Sequence, residues 1–233
     1  MEKLAGVILM AGSSVRFGGP KNKLFCLLND KPVFAYSIEA FAKQKNISEL
    51  IIVVNEDNKA EIEKFLGNIH INAKLVMGGA TRQESVEHAL NALSLGDDDI
   101  VVIHDAARPL VDAFIINQVA KAAIECGAAT PYIEAVDTIA IRNKNDEVAS
   151  FVDRQSVAQI QTPQAFKLGL LKSAHNSANE KKATDDCSLI LEEGNKVKLV
   201  KGDKKLHKIT TEEDIKYLEG LLKKWKSIKS EKS

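Results

Sequence analysis

Short apolar runs alternate with amphipathic stretches along most of the chain. Residues 7–10, 50–54, 74–77, 100–104 and 128–133 are short apolar segments, which read as strands buried on both faces. Between them apolar residues recur at helical spacing. Residues 32–43 carry Val33, Phe34, Ile38 and Phe41, and residues 59–66 form a second such stretch. Residues 83–93 carry Val86, Ala89, Leu90 and Leu93, and residues 112–126 carry Phe114, Ile115, Val119 and Ala122. Strand and helix in alternation predict an α/β fold: a Rossmann-like, mostly parallel sheet flanked by helices. Ligands on such sheets bind beyond the carboxyl ends of the strands.

The rhythm breaks after residue 133. Residues 137–142 and 147–152 flank a polar turn at 143–146, which predicts a two-stranded hairpin inserted after the fifth strand. A hairpin is marginal alone, so either a partner subunit or the chain's own sheet must cover it. After Pro163 the pattern resumes with helices at 168–174 and 185–193 and a strand at 197–200. An amphipathic helix at 211–225 follows, then a polar tail at 226–233 expected to fray. The expectation is one domain over 1–233, with a hairpin arm at about 137–155.

Composition narrows the partners. The 233 residues hold 32 Lys+Arg against 32 Asp+Glu, so no global field draws nucleic acid or an anionic membrane. Any anion site must come from locally placed cations. Three cysteines, Cys26, Cys126 and Cys187, make no metal spacing and read as reduced thiols. No apolar run approaches the roughly 20 residues of a membrane span, and the start resembles no signal peptide. The expected location is the cytoplasm.

The first strand ends in small residues, Ala11, Gly12, Ser13 and Ser14, followed by Arg16 and Lys23. Small residues let backbone N–H groups approach an anion, and the cations add charge that amides lack. This reads as a polyphosphate cradle. Gly78-Gly-Ala-Thr-Arg-Gln-Glu-Ser85 is a strand-to-helix loop that is either an anion site at a helix start or an ordinary N-cap. At the tip of the fourth strand, Asp105 is a candidate for Mg²⁺ or substrate hydroxyls, and Arg108 for a phosphate. An ion pair within the turn is the alternative for both. His104 alternates toward the core and reads as a structural histidine. Arg154 and Thr162 are candidate phosphate contacts, although Gln161-Thr-Pro-Gln164 also reads as a turn. Thr184 is placed for an N-cap, and Lys208 sits between apolar residues in an expected short strand.

In this order the clusters resemble the 2-C-methyl-D-erythritol 4-phosphate cytidylyltransferase family of the non-mevalonate isoprenoid pathway. The carrying motifs are Met-Ala-Gly-Ser-Ser-Val-Arg at 10–16, Gly-Gly-Ala-Thr-Arg-Gln-Glu-Ser at 78–85 and His-Asp-Ala-Ala-Arg-Pro at 104–109. They continue with Asp-Thr at 137–138, Asp-Arg at 153–154, Gln-Thr-Pro-Gln at 161–164, Thr-Asp-Asp at 184–186 and Lys-Ile-Thr at 208–210. The resemblance implies CMP transfer from CTP to methylerythritol phosphate with Mg²⁺. It implies catalytic Arg16, Lys23 and Lys208, and CTP contacts from Ala11, Gly12, Ser13, Ser14, Gly79, Arg82, Ser85 and Ala106. Sugar-phosphate contacts would come from Asp105, Arg108, Thr138, Arg154, Thr162 and Thr184, with Asp105 also at the metal. It further implies a homodimer of embracing arms, in which Thr138 and Arg154 serve the neighbour's site. The chain departs from the family pattern at Ser14, a usual glycine, at Ala80, where some members carry an acid, and at Asn22, where proline usually precedes the catalytic lysine. Aligning Pro20-Lys21 instead would make Lys21 catalytic. A ribitol-5-phosphate cytidylyltransferase shares these loops and is the alternative reading. A nicotinamide dehydrogenase would need G-x-G-x-x-G in the first loop, which is lacking.

Overall fold

The computed structural model describes residues 2–12, 22–178 and 183–230. Strand β1 (Leu4–Leu9) opens the sheet, and a 3-10 turn at Lys23–Phe25 leads to the small ribbon β2 (Leu27–Leu28) and β3 (Lys31–Pro32). Then follow α1 (Val33–Ala42), β4 (Ile47–Val54), α2 (Glu56–Ile69), β5 (Lys74–Met77), α3 (Arg82–Ala92), β6 (Ile100–Asp105), α4 (Ala113–Cys126) and β7 (Ala128–Glu134). The hairpin strands are β8 (Ile139–Arg142) and β9 (Val148–Val152). The chain goes on through β10 (Ala158–Ile160), β11 (Gln164–Lys167), α5 (Leu168–Ser177), α6 (Asp186–Glu192), β12 (Lys198–Lys201) and α7 (Glu212–Ser230).

The central sheet runs β10-β7-β11-β6-β1-β4-β5, with β12 also on β7. Pairs β1–β4, β1–β6, β4–β5 and β7–β12 are parallel. Strand β11 lies antiparallel between β6 and β7, and β10 is antiparallel to β7. The mostly parallel Rossmann-like sheet is therefore as expected, but the two antiparallel strands were not. Strand β11 begins only at Gln164, the last residue of the segment read as a turn, and four residues are too few to show a period. Its ladder is supplied by neighbours on both sides.

Two apolar layers cover the two faces. On β1, β4 and β6, Ile8, Ile52 and Val102 face one layer with Phe34, Phe41, Ile62 and Ile116. The odd positions Val7, Ile51, Val53, Val101 and Ile103 face the other, with Val86, Leu90, Phe166, Leu171 and Ile190. This period of two fixes which way the tip of β6 points: His104 stacks near Phe41 in the first layer, and Asp105 points to the opposite side. Gly6 is glycine because a Cβ there would lie 2.6 Å from the Phe41 ring.

Element ends differ where capping, invisible to periodicity, decides. Helix α2 begins at Glu56, since Asn55 and Asn58 form a reciprocal capping box. The N-cap of α6 is Asp185 rather than Thr184, with its carboxylate accepting from the Cys187 N–H. Lys208 lies in no strand; it follows a 3-10 turn, and the next residue, Ile209, bonds through its N–H to the Ala107 carbonyl at 2.8 Å. Helix α7 continues through 226–230, the first part of the tail expected to fray, because no glycine or proline stops it. Among the described residues no helix is long and apolar enough to cross a membrane.

The hairpin forms its own two-stranded sheet, β8 on β9. Its turn is closed by the Asn143 side chain, whose Oδ1 accepts from the N–H groups of Asn145 and Glu147. The arm leaves Ile141, Val148 and Phe151 at 54, 60 and 71 % exposure.

Candidate active site

A cleft of about 810 Å³ opens beyond the carboxyl ends of β1 and β6, where the parallel sheet predicts a site. Residues 9–12 and the turn at Lys23 and Leu24 line it. So do Gly79, Ala80, Thr81, Arg82 and Ser85 from the loop before α3 and its first turn, together with Asp105, Ala107, Ala183, Thr184 and Lys208.

The first loop is tied down from behind. Met10 N–H donates to the Val53 carbonyl, and the side-chain amides of Asn58 and Asn55 donate to the carbonyls of Met10 and Ala11. Ala11 and Gly12 thus reach the cleft, while Ser13, Ser14, Arg16 and Lys21 lie outside the described residues. Asn22, in place of the family's usual proline, caps the turn that carries Lys23 by accepting from the Leu24 N–H.

The glycine pair before α3 is needed for packing within the protein. A Cβ on Gly78 would stand 2.4 Å from the Ala11 side chain, and one on Gly79 the same distance from Glu84. Thr81 and Glu84 form a capping box at the start of α3, and the same loop lines the cleft. The Ser85 hydroxyl accepts from Gly79 N–H and donates to the Thr81 carbonyl, which fixes the loop's shape.

At the tip of β6, Asp105 is shared by two cations. Lys208 Nζ donates to its Oδ2 at 2.6 Å, and Arg82 Nε lies 3.6 Å from its Oδ1. Burial alone would raise the Asp105 carboxyl, but Arg82 and Lys208 hold it well below the usual carboxylate range. Arg82 in turn donates through Nη1 to Asp186 Oδ2 at 2.6 Å. Burial opposes the charge on Arg82, and Asp186 and Asp105 more than restore it.

His104 is buried and structural. Its Nε2–H donates to the Arg108 carbonyl, so Nδ1 accepts from the Thr162 hydroxyl, which itself accepts from the Asp105 N–H. Burial drives its pKa down to about 4, so the ring is neutral at pH 7. Cys187 is no nucleophile, since burial pushes its thiol up.

The structure gathers Ala11, Gly12, Lys23, Gly79, Arg82, Ser85, Asp105, Thr184 and Lys208 around one cleft. It places the other expected residues elsewhere. Ala106 is fully buried, its N–H on the Leu9 carbonyl, and Ala107 lines the cleft in its stead. Thr162 lies behind Asp105 with its hydroxyl proton committed to His104. Arg108 donates through Nη1 to the carbonyl of Leu206, two residues before Lys208, which makes it a support for that segment. Thr138 and Arg154 are exposed at the foot of the arm, where Arg154 Nη1 holds the Val136 carbonyl. Asp186 stands in the Thr-Asp-Asp motif at 184–186 but was assigned no contact, and His175 was not singled out. Sequence cannot tell whether an acid directly after a helix N-cap faces water or protein.

Known proteins resemble this chain in sequence and in fold. The family model for 2-C-methyl-D-erythritol 4-phosphate cytidylyltransferase (IspD) matches residues 4–224. The enzyme of that name from Clostridium perfringens (strain SM101 / Type A) is 40 % identical over 230 residues, covering 96 % of this chain and 100 % of the relative. That from Bacillus cytotoxicus is 36 % identical over 220 residues, covering 93 and 96 %. The crystal structure of 2-C-methyl-D-erythritol 4-phosphate cytidylyltransferase from Thermus thermophilus superposes with a TM-score of 0.76 at 32 % identity, covering 96 % of this chain and 100 % of the other. That of 4-diphosphocytidyl-2C-methyl-D-erythritol synthase from Anaerococcus prevotii gives 0.84 at 27 %, covering 95 and 96 %. Across nearly its whole length, then, the chain belongs to the 2-C-methyl-D-erythritol 4-phosphate cytidylyltransferase family.

Proposed function

We infer that the cleft transfers CMP from CTP to 2-C-methyl-D-erythritol 4-phosphate, giving CDP-methylerythritol and pyrophosphate, and that its cations carry the chemistry. The observation that carries this reading is the meeting of Lys23, Arg82, Asp105 and Lys208 around a loop of small residues in one cleft. A phosphate oxygen of the acceptor attacks the α-phosphorus of CTP, and the bond to the β-phosphate breaks as pyrophosphate leaves. The nucleophile is a phosphate monoester with a second pKa of about 6, so it is largely dianionic at neutral pH and needs no general base. A neutral, buried His104 and a protonated Cys187 suit that chemistry, because neither is asked to accept a proton from substrate.

The barrier is the approach of two polyanions and the crowding at phosphorus. Fixed positive charge and positioning lower it. Lys23, with Arg16, stabilises charge on the α-phosphate, while residues 11–14 cradle the triphosphate. Gly79, Arg82 and Ser85 form the nucleoside side of the cleft. Lys208 and Thr184 face the sugar phosphate, Arg108 holds the Lys208 segment, and Thr162 holds Asp105. Thr138 and Arg154, at the foot of the arm, serve the site of a partner copy in a homodimer. Among the described residues no group of three or more His, Cys, Asp or Glu forms a metal cage. A Mg²⁺ arriving on CTP is held mostly by phosphate and water and needs only one or two carboxylates, so the ionised Asp105 fits it. Such an ion would shield the phosphate charges. None of Cys26, Cys126 and Cys187 forms a disulfide, which suits a reducing cytoplasm.

The test is pyrophosphate release from CTP with methylerythritol phosphate and with ribitol 5-phosphate. Release with the first and little with the second is expected; preference for ribitol 5-phosphate overturns the assignment of acceptor.

A further inference from the structure

Behind the cleft lies a buried pair that the chemistry above does not use. The side chains of Asp186 and His175 are 1 and 2 % exposed, and His175 Nε2–H donates to Asp186 Oδ1 at 3.1 Å. A buried charge adds little net stability even when it is paired, because desolvation offsets the attraction. It is a poor device for holding a fold and a good one for holding a side chain. Nor does α6 need Asp186 to anchor its start. Gln164 already donates to Asp185 Oδ2 at 2.7 Å, and Gln83 accepts from the Ala183 N–H at 3.0 Å.

The distances say what the pair holds. Arg82 stands between two carboxylates, 2.6 Å from Asp186 and 3.6 Å from Asp105. Asp105 gives its short contact, 2.6 Å, to Lys208 instead. His175 occupies Oδ1 of Asp186, which leaves Oδ2 to Arg82. We propose that Asp186, oriented by His175, is a positioning residue for Lys208: it draws Arg82 onto itself and so leaves Asp105 to hold the lysine. With Asp186 neutral, Asp105 is the carboxylate still ion-paired with Arg82 among the described residues, and Arg82 closes on it with a forked pair of bonds. Asp105 then no longer fixes Lys208. The inference rests on the reading of Lys208 as catalytic.

A double-mutant cycle tests it. Turnover is measured at saturating substrates for Asp186→Asn, Lys208→Ala and the double variant. Misplacing a catalytic group by about an ångström costs up to about 100-fold, so Asp186→Asn should lower kcat, read at saturating CTP, roughly 10- to 100-fold. In the Lys208→Ala background the same change should alter kcat less than about twofold. A purely structural role would lower kcat by the same factor in both backgrounds and overturns the proposal, as does a folded Asp186→Asn enzyme with normal kcat. If Asp186→Asn is not recovered folded, His175→Leu replaces it. That variant should lose about threefold in kcat, with no loss in the Lys208→Ala background, and His175→Gln, whose amide can donate to the same oxygen, should restore it. Persistence of the loss without Lys208, or no loss at all, overturns the proposal. A near-normal kcat for Lys208→Ala itself is a different failure: the catalytic reading of Lys208 falls, and this inference with it.

Discussion

Asp105 and Phe151 mark two regions built on opposite terms. Asp105, 9 % exposed, carries a charge buried in the protein and answered by cations from α3 and from the segment before α7. Phe151, 71 % exposed, carries apolar surface that the arm leaves open to solvent, beside Val148 and Ile141. In the cleft the charges of Asp105, Arg82 and Lys208 are costly to bury and are matched within the chain. On the arm the apolar surface is cheap to bury and is left uncovered by the described residues. The difference teaches where to look for what each region lacks: the cleft wants only its ligands, and the arm wants a second surface.

Breaking the buried network should have the largest effect. Arg82→Met leaves Asp105 and Asp186 without their shared cation and should cost about 3–5 kcal/mol in denaturant unfolding. A loss under about 1 kcal/mol would mean the charges are solvated after all, like those of the arm. Next come the cleft cations. Lys23→Ala or Lys208→Ala should lose on the order of 10²–10³ in turnover, about 3–4 kcal/mol, with far less change in CTP affinity. Near-normal turnover in steady-state assay would remove that residue from the chemistry.

Acid should then separate the two regions. His104 resists its proton down to about pH 4 in the fold, whereas the unfolded chain takes it near pH 6.5. Stability is therefore unaffected by His104 above pH 6.5 and falls by about 3 kcal/mol in all as the pH drops from 6.5 to 4. Asp105, held down, adds stability that is lost only as the pH falls below the ordinary aspartate range. The arm, residues 137–152, contains no histidine. Equilibrium unfolding of wild type and His104→Gln at pH 7 and pH 5 checks this; an unchanged slope in the variant assigns the acid sensitivity elsewhere. The smallest effect is expected on the arm. Phe151→Asp should leave unfolding of the dilute chain within about 0.5 kcal/mol of wild type. It should nevertheless abolish self-association in sedimentation. A loss of about 2 kcal/mol at dilution would show the arm to be packed as tightly as the core.

Most of the sheet and its helices were legible because each segment states its own period. Residues 74–77 even coincide with β5 end to end. The site was legible in its types and order: Lys23, Asp105 and Lys208 stand out as charges beside apolar runs. What hid was partnership. Thr162 read as a phosphate contact and turned to His104; Arg108 read likewise and turned to Leu206. A side chain of the right type near the right strand has two sides to face, and local spacing does not choose between them.

By itself, the sequence determined the alternation of strand and helix, the two-faced sheet and the loops that carry charge, because these follow from periodicity and residue chemistry along a few positions. The tertiary structure alone decided that β11 runs between β6 and β7 and that Ala107 rather than Ala106 meets the cleft. It alone decided that Asp186, 81 positions beyond Asp105, shares an arginine with it. The reason is physical: a buried charge is set by the field of whatever the fold packs around it, and that field comes from residues far away in the chain.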